Sequence, residues 1–318
     1  MKLFKQQNNE LVALSRRHFE LERDIQNLVE FNLPQLFDLI FVTSEFKVGD
    51  FRIDTLAFDE SSNSFVIIEY KKGNSYSVVD QGYSYLSTMV NNKAEFILEY
   101  NEQTNDVLKR TDVDWTSSRV LFIAPSFNAY QKNSVNFSDV KFELWEIRKF
   151  EDGLIAFEQI ESTSSESIEK IAPINEKSLI SKVNSEVKTF SEEDHTSNMS
   201  EKIQKLWILL RERLLNLCSG SFNATKRYIG YKSEASMICF IKFRKDQINV
   251  DILRGREKPD GNFSRNFFTF DDPKKLAKEK SWTRKSGAIG MSYSIPFKNI
   301  ESIDYVMFLV NQKYESLN

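Results

Sequence analysis

Two carboxylates and a lysine stand close to the ends of two neighbouring apolar runs. Asp54 lies in a run that alternates apolar and polar residues, while Glu69 and Lys71 follow the apolar run Phe65–Ile68. Side chains alternate between the two faces of a strand, so Glu69 and Lys71 should point the same way and Tyr70 the opposite way. The Ser- and Asn-rich turn between the runs predicts a β-hairpin, which can bring Asp54 beside Glu69.

These three residues could together perform phosphate chemistry. Burying their charges without partners would cost several kcal/mol each, whereas Mg²⁺ accepts a pair of carboxylates, retains waters and bridges phosphate oxygens. Lys71 could then hold an attacking water or stabilise the charge that develops on the phosphate. Each acid taken alone is more often a solvated surface residue. The uninterrupted run Phe65–Ile68, however, indicates a strand buried on both faces up to Glu69, which favours a Mg²⁺ site.

The elements around these residues indicate an α/β domain with a mixed sheet. The apolar spacing predicts a helix from about Ser15 to Leu33, with Pro34 at its end or at a kink. The other predicted elements up to residue 160 are a hairpin over 52–58 and 65–71, a helix over 76–91, and strands over 120–124 and 142–147.

The charge of the chain is unevenly distributed. Residues 1–160 carry 17 basic and 25 acidic side chains, residues 161–200 carry 4 and 8, and residues 201–318 carry 22 and 13. The net charges of −8, −4 and +9 sum to the −3 of the whole chain. We therefore predict an N-terminal domain over 1–160, an acidic Ser- and Glu-rich linker over 161–200, and a smaller basic α+β domain over 201–318.

The basic C-terminal domain predicts contact with nucleic acid. A net charge of +9 suits a face that follows a phosphate backbone. Aromatic residues that lie among the cations could stack on bases, namely Tyr228, Tyr231, Phe267, Phe268 and Trp282. The alternative is a solvated basic surface over an aromatic core. The candidate nucleic-acid-binding residues are Lys226, Arg227, Lys242, Arg244, Lys245, Arg254, Arg256, Arg284 and Lys285. The elements predicted for this domain are a helix over 201–217, strands over 237–243 and 247–253, and a helix over 303–314.

Composition excludes several other classes of protein. With 41% hydrophobic and 28% charged residues the chain is neither disordered nor collagen-like. Two Cys and two His are too few for a disulfide scaffold or a Cys/His zinc site. The first residues lack the apolar stretch of a signal peptide, and no run approaches the ~20 apolar residues of a membrane helix. We therefore expect a cytoplasmic protein without a membrane partner.

The spacing Asp54-x14-Glu69-x-Lys71 across a hairpin resembles the core of the PD-(D/E)xK nuclease superfamily. Gln81-x3-Tyr85, ten residues further on, resembles the QxxxY motif of its RecB-like branch. The sequence around these motifs is also similar to the NucS-type nuclease-like domain. It further resembles a family of uncharacterised bacterial and archaeal proteins that carry this core and a C-terminal domain of unknown function. Ile53 occupies the position of the proline that gives the motif its name.

This resemblance implies a restriction-endonuclease-like N-terminal domain and a role for each matched residue. Asp54 and Glu69, with the carbonyl of Tyr70, would bind Mg²⁺ or Mn²⁺, and Lys71 would orient the water. The residues implied by the additional motifs are Gln81 and Tyr85, which would position phosphate and lysine, and Glu22, an outer or second-metal acid for which Glu20 is the alternative.

The function predicted on these grounds is a metal-dependent nuclease, most simply a DNA endonuclease, in which the basic domain holds the substrate. Related nucleases often pair to cut both strands, which is compatible with a homodimer. Two alternatives stay open at this point. One is a non-catalytic nucleic-acid-binding or regulatory protein that retains a nuclease-like scaffold, and the other is a protein–protein interaction role in which the basic half docks on an acidic partner.

Overall fold

The computed structural model contains two compact units. The first comprises Met1–Pro34, Leu39–Glu99 and Arg110–Thr189, and the second comprises Gln35–Asp38, Tyr100–Lys109 and Phe190–Asn318. The residues that the structure describes are 2–72, 78–104, 106–136, 141–160, 181, 183–187, 190–233, 236–257, 260–263, 267–283 and 289–317. None of the helices in these ranges has the length and apolar character needed to span a membrane.

The longest segment of the second unit starts at Phe190, inside the segment 161–200 that was predicted to be a linker. A short helix, Glu192–Thr196, lies just after this start. Ser191 caps the helix, and its hydroxyl accepts from the Asp194 N–H. Most of the remaining predicted linker lies outside the described residues.

The first unit is built on a mixed sheet of seven strands in the order β3-β8-β7-β6-β5-β4, with β9 on β8. The pairs β4–β5 and β5–β6 are antiparallel, whereas β6–β7 and β7–β8 are parallel. A separate hairpin joins β1 and β2. The strands up to residue 160 are β1 Phe4–Gln7, β2 Glu10–Ala13, β3 Arg16–Arg17, β4 Ile40–Val48, β5 Phe51–Asp59, β6 Ser64–Tyr70, β7 Arg119–Ala124, β8 Phe142–Phe150 and β9 Ile155–Ile160.

The central strand β6 explains the apolar run of the sequence. All seven of its residues are buried, because strands pair on both sides and helices cover the sheet. The predicted turn before β6 is formed by Asp59, whose Oδ1 accepts from the N–H groups of Ser61 and Ser62 at 2.9 and 3.2 Å. The predicted hairpin, the mixed sheet and the strands at 120–124 and 142–147 are therefore confirmed.

Helices flank this sheet. Helix α1 packs on β5 and β6, and α3 packs on β5 and β7. Helix α3 carries the predicted Gln81 and Tyr85, and the predicted start of this helix at 76 lies outside the described residues. The helices up to residue 160 are α1 Glu22–Phe31, α2 Leu33–Phe37, α3 Val78–Asn91, α4 Lys93–Gln103 and α5 Ala129–Ser134.

The first helix differs from its prediction at both ends. It begins at Glu22 rather than near Ser15, because Leu21 is extended and its N–H donates to the Asp24 carboxylate at 2.9 Å. The residues before it include β3, which pairs with the end of β8. At the other end α1 stops at Phe31 and the short helix α2 follows, with Pro34 in its first turn, where a missing N–H costs little.

The second unit is an antiparallel six-stranded sheet in the order β10-β11-β12-β13-β15-β14. Helices α7 and α8 pack on one of its faces and share a core with residues such as Val250 and Ile295. The predicted helices at 201–217 and 303–314 and the hairpin at 237–253 are confirmed. The elements of this unit after residue 190 are α6 Glu192–Thr196, α7 Glu201–Leu217, β10 Gly220–Ala224, β11 Ile229–Ser233, β12 Ser236–Arg244, β13 Gln247–Glu257, β14 Lys278–Thr283, β15 Ile289–Phe297 and α8 Ile303–Glu315.

Candidate metal and nucleic-acid site

Asp54 and Glu69 lie side by side at one end of the β5–β6 hairpin. The register pairs Thr55 with Ile68, so Asp54 and Glu69 are the next residues along the two strands. The Asp54 Oδ2 atom accepts a hydrogen bond from the Tyr70 N–H at 3.0 Å, which fixes the carboxylate at the end of β6. Glu69 is only 5% exposed. The predicted convergence of the two acids is therefore observed.

The electrostatics of this pair favour a bound cation. Burial of the carboxyl, followed by the charge of Glu69, raises the pKa of Asp54 to about 7, although the Tyr70 N–H and Lys71 act in the opposite direction. Two adjacent acids and one ammonium leave excess negative charge in a poorly solvated place. A hard divalent cation with oxygen ligands would relieve this repulsion, so the side chains fit Mg²⁺ or Mn²⁺.

Three donors hold the Glu69 carboxylate. Oε1 accepts from Lys71 Nζ and from Gln81 Nε2, both at 2.7 Å, and Oε2 accepts from the Tyr85 hydroxyl at 2.7 Å. Gln81 also donates to Tyr85 at 3.0 Å, because residues four apart on a helix share a face. Burial and the charge of Glu69 raise the pKa of Tyr85, which keeps its hydroxyl protonated. The predicted Gln–Tyr pair thus contacts the carboxylate of Glu69, where the resemblance implied phosphate and lysine.

A second set of polar residues on α1 and the hairpin was not identified from the sequence. The Tyr70 hydroxyl points away from Lys71 and bonds to the Thr55 hydroxyl at 3.1 Å, and Thr55 in turn donates to the Glu30 carboxylate. Gln26 donates to both Glu30 and the main-chain carbonyl of Asp54, each at 3.0 Å. The sequence offers one indication of this set: Gln26 and Glu30 are four residues apart, so they share a face of the predicted helix.

Glu22 reaches the same end of the sheet. Its Oε1 atom accepts from the main-chain N–H of Lys72 at 2.7 Å, one residue beyond Lys71. In the described part of the chain no three Asp, Glu, His or Cys side chains form a group that could hold a metal. A cation at Asp54 and Glu69 would therefore need main-chain or water oxygens as further ligands, and Glu22 lies outside that inner set.

The candidate basic residues of the second unit have different surroundings. Lys226, Arg227, Arg244 and Lys245 are exposed. Lys242 and Arg254 instead make ion pairs of 2.8 Å with Asp251 and 2.9 Å with Glu279, and Arg254 also lies over the Tyr293 ring. Arg256 is half-buried, and Arg284 and Lys285 lie outside the described residues. Four of the seven candidate cations that the structure describes are therefore exposed, and the other three are partly buried.

Most of the aromatic residues proposed for base stacking are part of the core. Tyr228, Tyr231 and Phe268 are buried, and the Tyr231 hydroxyl donates to the Leu214 carbonyl at 2.6 Å. That prediction is wrong for these three residues because their rings are buried in the protein. Trp282 on the edge strand β14 is different because it is 42% exposed.

Trp282 lies flat on the sheet face opposite the helices. It is paired with Gly290 on β15, and a Cβ on Gly290 would lie 2.3 Å from the indole ring, so only glycine permits this approach. Lys280, two residues earlier on β14, shares the face. An exposed indole beside a lysine is suited to stacking on a base next to a phosphate.

Comparison with known proteins gives one relative that matches almost the entire chain. An uncharacterised protein of Haemophilus influenzae is 38% identical over 314 residues, which is 98% of this chain and 99% of the relative. In addition, the family described as a domain of unknown function (DUF5655) matches residues 192–290. The start of that match, at residue 192, lies close to Phe190, where the longest segment of the second unit begins.

Three solved structures show a distant likeness. A repair endonuclease from Pyrococcus abyssi has a TM-score of 0.28 and 18% identity, covering 42% of this chain and 49% of the neighbour. An EndoMS–dsDNA complex has a TM-score of 0.27 and 15% identity, covering 46% and 65%. Pyrococcus furiosus SfsA in complex with Ca²⁺ has a TM-score of 0.24 and 12% identity, covering 42% and 62%. This chain therefore spans less than two thirds of each neighbour, and scores this low do not establish a common function.

Proposed function

This chain belongs to the family of the uncharacterised Haemophilus influenzae protein, and we propose that it is a metal-dependent nuclease that hydrolyses phosphodiester bonds, with DNA as the first substrate to test. The observation that carries the proposal is the pair Asp54 and Glu69. Two adjacent carboxylates share a poorly solvated end of a hairpin, a lysine contacts one of them, and the pKa of Asp54 is raised to about 7. Such an arrangement is costly unless a cation or a reaction uses it.

Two acids would bind the cation, and two residues of α3 would orient one of these acids. Asp54 and Glu69, with the Tyr70 carbonyl, would hold Mg²⁺ or Mn²⁺, which when bound polarises a phosphate oxygen and acidifies a water. Gln81 and Tyr85 hold the Glu69 carboxylate in one orientation through hydrogen bonds of 2.7 Å. Their contribution is to pre-organise this ligand, because a carboxylate with fixed donors loses less freedom when the cation binds.

Lys71 would act on the substrate. Its ammonium lies 2.7 Å from Glu69 Oε1, so it stays beside the two acids and can donate to a water or a phosphate oxygen that arrives there. A positioned cation is most effective where negative charge develops in the transition state. Glu22, held by the main chain of Lys72, supplies a further acid at the edge of the same site.

The second unit would contribute substrate binding. Its exposed cations Lys226, Arg227, Arg244 and Lys245 and the exposed ring of Trp282 provide phosphate and base contacts. Lys242 and Arg254 already have acidic partners and would contribute less.

The test is a cleavage panel of single- and double-stranded DNA and RNA with Mg²⁺, with Mn²⁺ and with EDTA. Wild-type protein should cleave at least one substrate only when metal is present. The Lys71→Ala variant should be slower by about 100-fold or more, since it loses a charge-stabilising group in the site. Arg110→Ala, which removes an exposed cation in the segment before β7, is the matched control and should cleave like wild type.

Two outcomes would count against the proposal. Wild-type rates in the Lys71→Ala variant would show that cleavage occurs elsewhere or comes from a contaminant. An absence of cleavage on every substrate, with no stabilisation of the wild type by Mg²⁺ or Mn²⁺, would favour a non-catalytic nucleic-acid-binding protein on this scaffold.

A further inference from the structure

A cavity of about 500 Å³ opens in the first unit beside the candidate site. Its volume lies within the range of small-molecule pockets, roughly 300–1,000 Å³, and would accommodate one nucleotide. The lining is strongly basic although residues 1–160 carry a net charge of −8. Among the described residues, those that line it with a charge are the cations Arg16, Arg17, Lys72, Arg148 and Lys149 and the carboxylate Glu20.

Three of these cations have no acidic partner among the residues that the structure describes. Arg16 donates to the Pro125 carbonyl at 2.9 Å, and Lys72 Nζ donates to the Glu20 carbonyl. Lys149 Nζ lies 5.7 Å from the centroid of the Phe19 ring. Within the described ranges none of the three forms an ion pair with a carboxylate. Their charge is therefore available to a ligand.

Strand pairing concentrates this charge further. In the β3–β8 pair Arg17 stands directly opposite Lys149, and like charges in such a pair repel each other. The charge of Arg17 is partly compensated by its 2.9 Å ion pair with Glu151, whereas Lys149 forms no ion pair in the described part of the chain. An anion bound beside these two side chains would relieve the repulsion.

Lys72 joins this cavity to the candidate site. It follows Lys71 directly, its main-chain N–H donates to the Glu22 carboxylate at 2.7 Å, and its side chain lines the cavity. A nucleic-acid strand with one phosphate at Asp54 and Glu69 would thus place a neighbouring phosphate near Lys72.

We propose that this cavity binds a phosphate group of the nucleic-acid strand, on the nucleotide next to the bond that is cleaved. The position of that nucleotide relative to the cleaved bond rests on the proposed nuclease function, but the binding itself does not. Arg16 is suited to this role because a guanidinium fixed by a carbonyl can still present donors to phosphate oxygens. The phosphate could be internal to a strand or terminal, and the two sources are separable by experiment.

The experiment measures oligonucleotide affinity of the full chain in EDTA, where cleavage cannot interfere. The double variant Arg16→Gln/Lys149→Gln should bind a single-stranded oligonucleotide about 10-fold more weakly at low salt. The slope of log affinity against log salt should also fall by about 0.7–0.9, the value for one neutralised phosphate. Arg110→Gln is the control and should bind like wild type. Lys149→Gln alone, at an exposed position, should give a smaller loss in the same direction if the double variant folds poorly.

Oligonucleotides with a 5′-phosphate, a 3′-phosphate or neither distinguish the two sources. An advantage of one phosphorylated form that disappears in the double variant assigns the cavity to a terminal phosphate, and an equal loss for all three forms assigns it to an internal one. Unchanged affinity and salt slope in the double variant would overturn the inference, even if the wild type cleaves in Mg²⁺. Conversely, weakened binding without any cleavage would uphold the cavity and overturn the nuclease.

Discussion

Replacing Asp54 by Asn should make the metal-free protein more stable at neutral and alkaline pH. The substitution removes the charge that repels Glu69, but an amide oxygen can still accept the hydrogen bond from the Tyr70 N–H that Asp54 Oδ2 accepts at 3.0 Å. In most proteins the loss of a buried, hydrogen-bonded carboxylate is destabilising. Here the substitution is expected to be stabilising, because burial and the charge of Glu69 both disfavour the ionised form of Asp54.

The magnitude follows from the pKa of Asp54, which burial and Glu69 raise from 3.8 to about 7. A group whose pKa is raised on folding contributes stability below its unfolded pKa, and this contribution is lost as pH rises through the folded value. At about 1.4 kcal/mol per pKa unit the full loss is roughly 4 kcal/mol. Because Asp54 retains some solvent contact, about 2–4 kcal/mol is expected, developing between about pH 4 and pH 7.

Hydrogen exchange of peptides from β5 and β6, measured in EDTA, reports the local stability of this hairpin. At pH 8 the Asp54→Asn variant should show slower exchange than wild type after correction for the intrinsic rate, and the difference should shrink towards pH 4. Mg²⁺ should slow exchange in wild type and have little effect on the variant. Asp50→Asn, in the exposed turn before β5, is the matched control. If the variant is no more protected than wild type at pH 8, the claim that Asp54 and Glu69 repel each other is wrong.

Two further predictions concern single contacts. Tyr85→Phe removes the 2.7 Å hydrogen bond to Glu69 Oε2. It should lower the free energy of unfolding by about 1–3 kcal/mol in chemical denaturation and weaken Mg²⁺ binding about 10-fold in a metal titration. Unchanged metal affinity would show that Tyr85 does not organise the Glu69 carboxylate. Trp282→Ala should weaken single-stranded DNA binding by about 1–3 kcal/mol while leaving the melting temperature nearly unchanged, since the ring is 42% exposed. Phe308→Ala on α8, equally exposed, should not affect binding, and equal effects of the two variants would contradict a stacking role.

The hairpin and its pair of acids were predictable because the information is local. Period-2 alternation, a turn rich in Ser and Asn, and a fully apolar strand fix which residues of β5 and β6 face each other. Once that register is set, Asp54 must lie beside Glu69, and Lys71 must lie on the side of Glu69. No tertiary contact beyond the hairpin is needed for this inference.

The start of α1 was not predictable in the same way. The residues Arg16–Arg17 form a strand because they pair with the end of β8, more than 130 positions away in the chain. Helical spacing of apolar residues says nothing about such a partner. The helix boundary is marked by the hydrogen bond from the Leu21 N–H to the Asp24 carboxylate. This bond requires an extended conformation at Leu21, which the residue types alone do not specify.

The contacts of Gln81 and Tyr85 were only half predictable. Spacing places both on one face of α3, but it does not say which atom of the hairpin they meet. The structure brings them to the Glu69 carboxylate. Gln26 was missed for a related reason, since a polar residue between Glu22 and Glu30 on a helix is more often solvated than bonded to a buried carbonyl.

The wrong predictions for the second unit have one cause. Composition shows which residues are near each other in the sequence, but not whether their side chains point to the core or to solvent. Tyr228 and Tyr231 stand among lysines and arginines in the sequence, yet their side chains point into the core. Lys242 has a basic neighbour in the sequence at Arg244 but an acidic one, Asp251, across the strand pair. Sequence proximity of charges and rings is therefore weak evidence for a binding surface until the strand register is known.

The same reasoning applies to the net charge of the N-terminal half of the chain. Residues 1–160 carry a net charge of −8, which would be expected to repel a polyanion, but salt screens charges beyond about 8–10 Å. What a phosphate experiences is the arrangement within that distance. Around the cavity that arrangement is Arg16, Lys72 and Lys149 without acidic partners in the described ranges, and beside it are two acids that a divalent cation would neutralise. If the two acids hold a divalent cation, the proposed site and these cations would together attract a phosphate strand, whatever the total charge of residues 1–160.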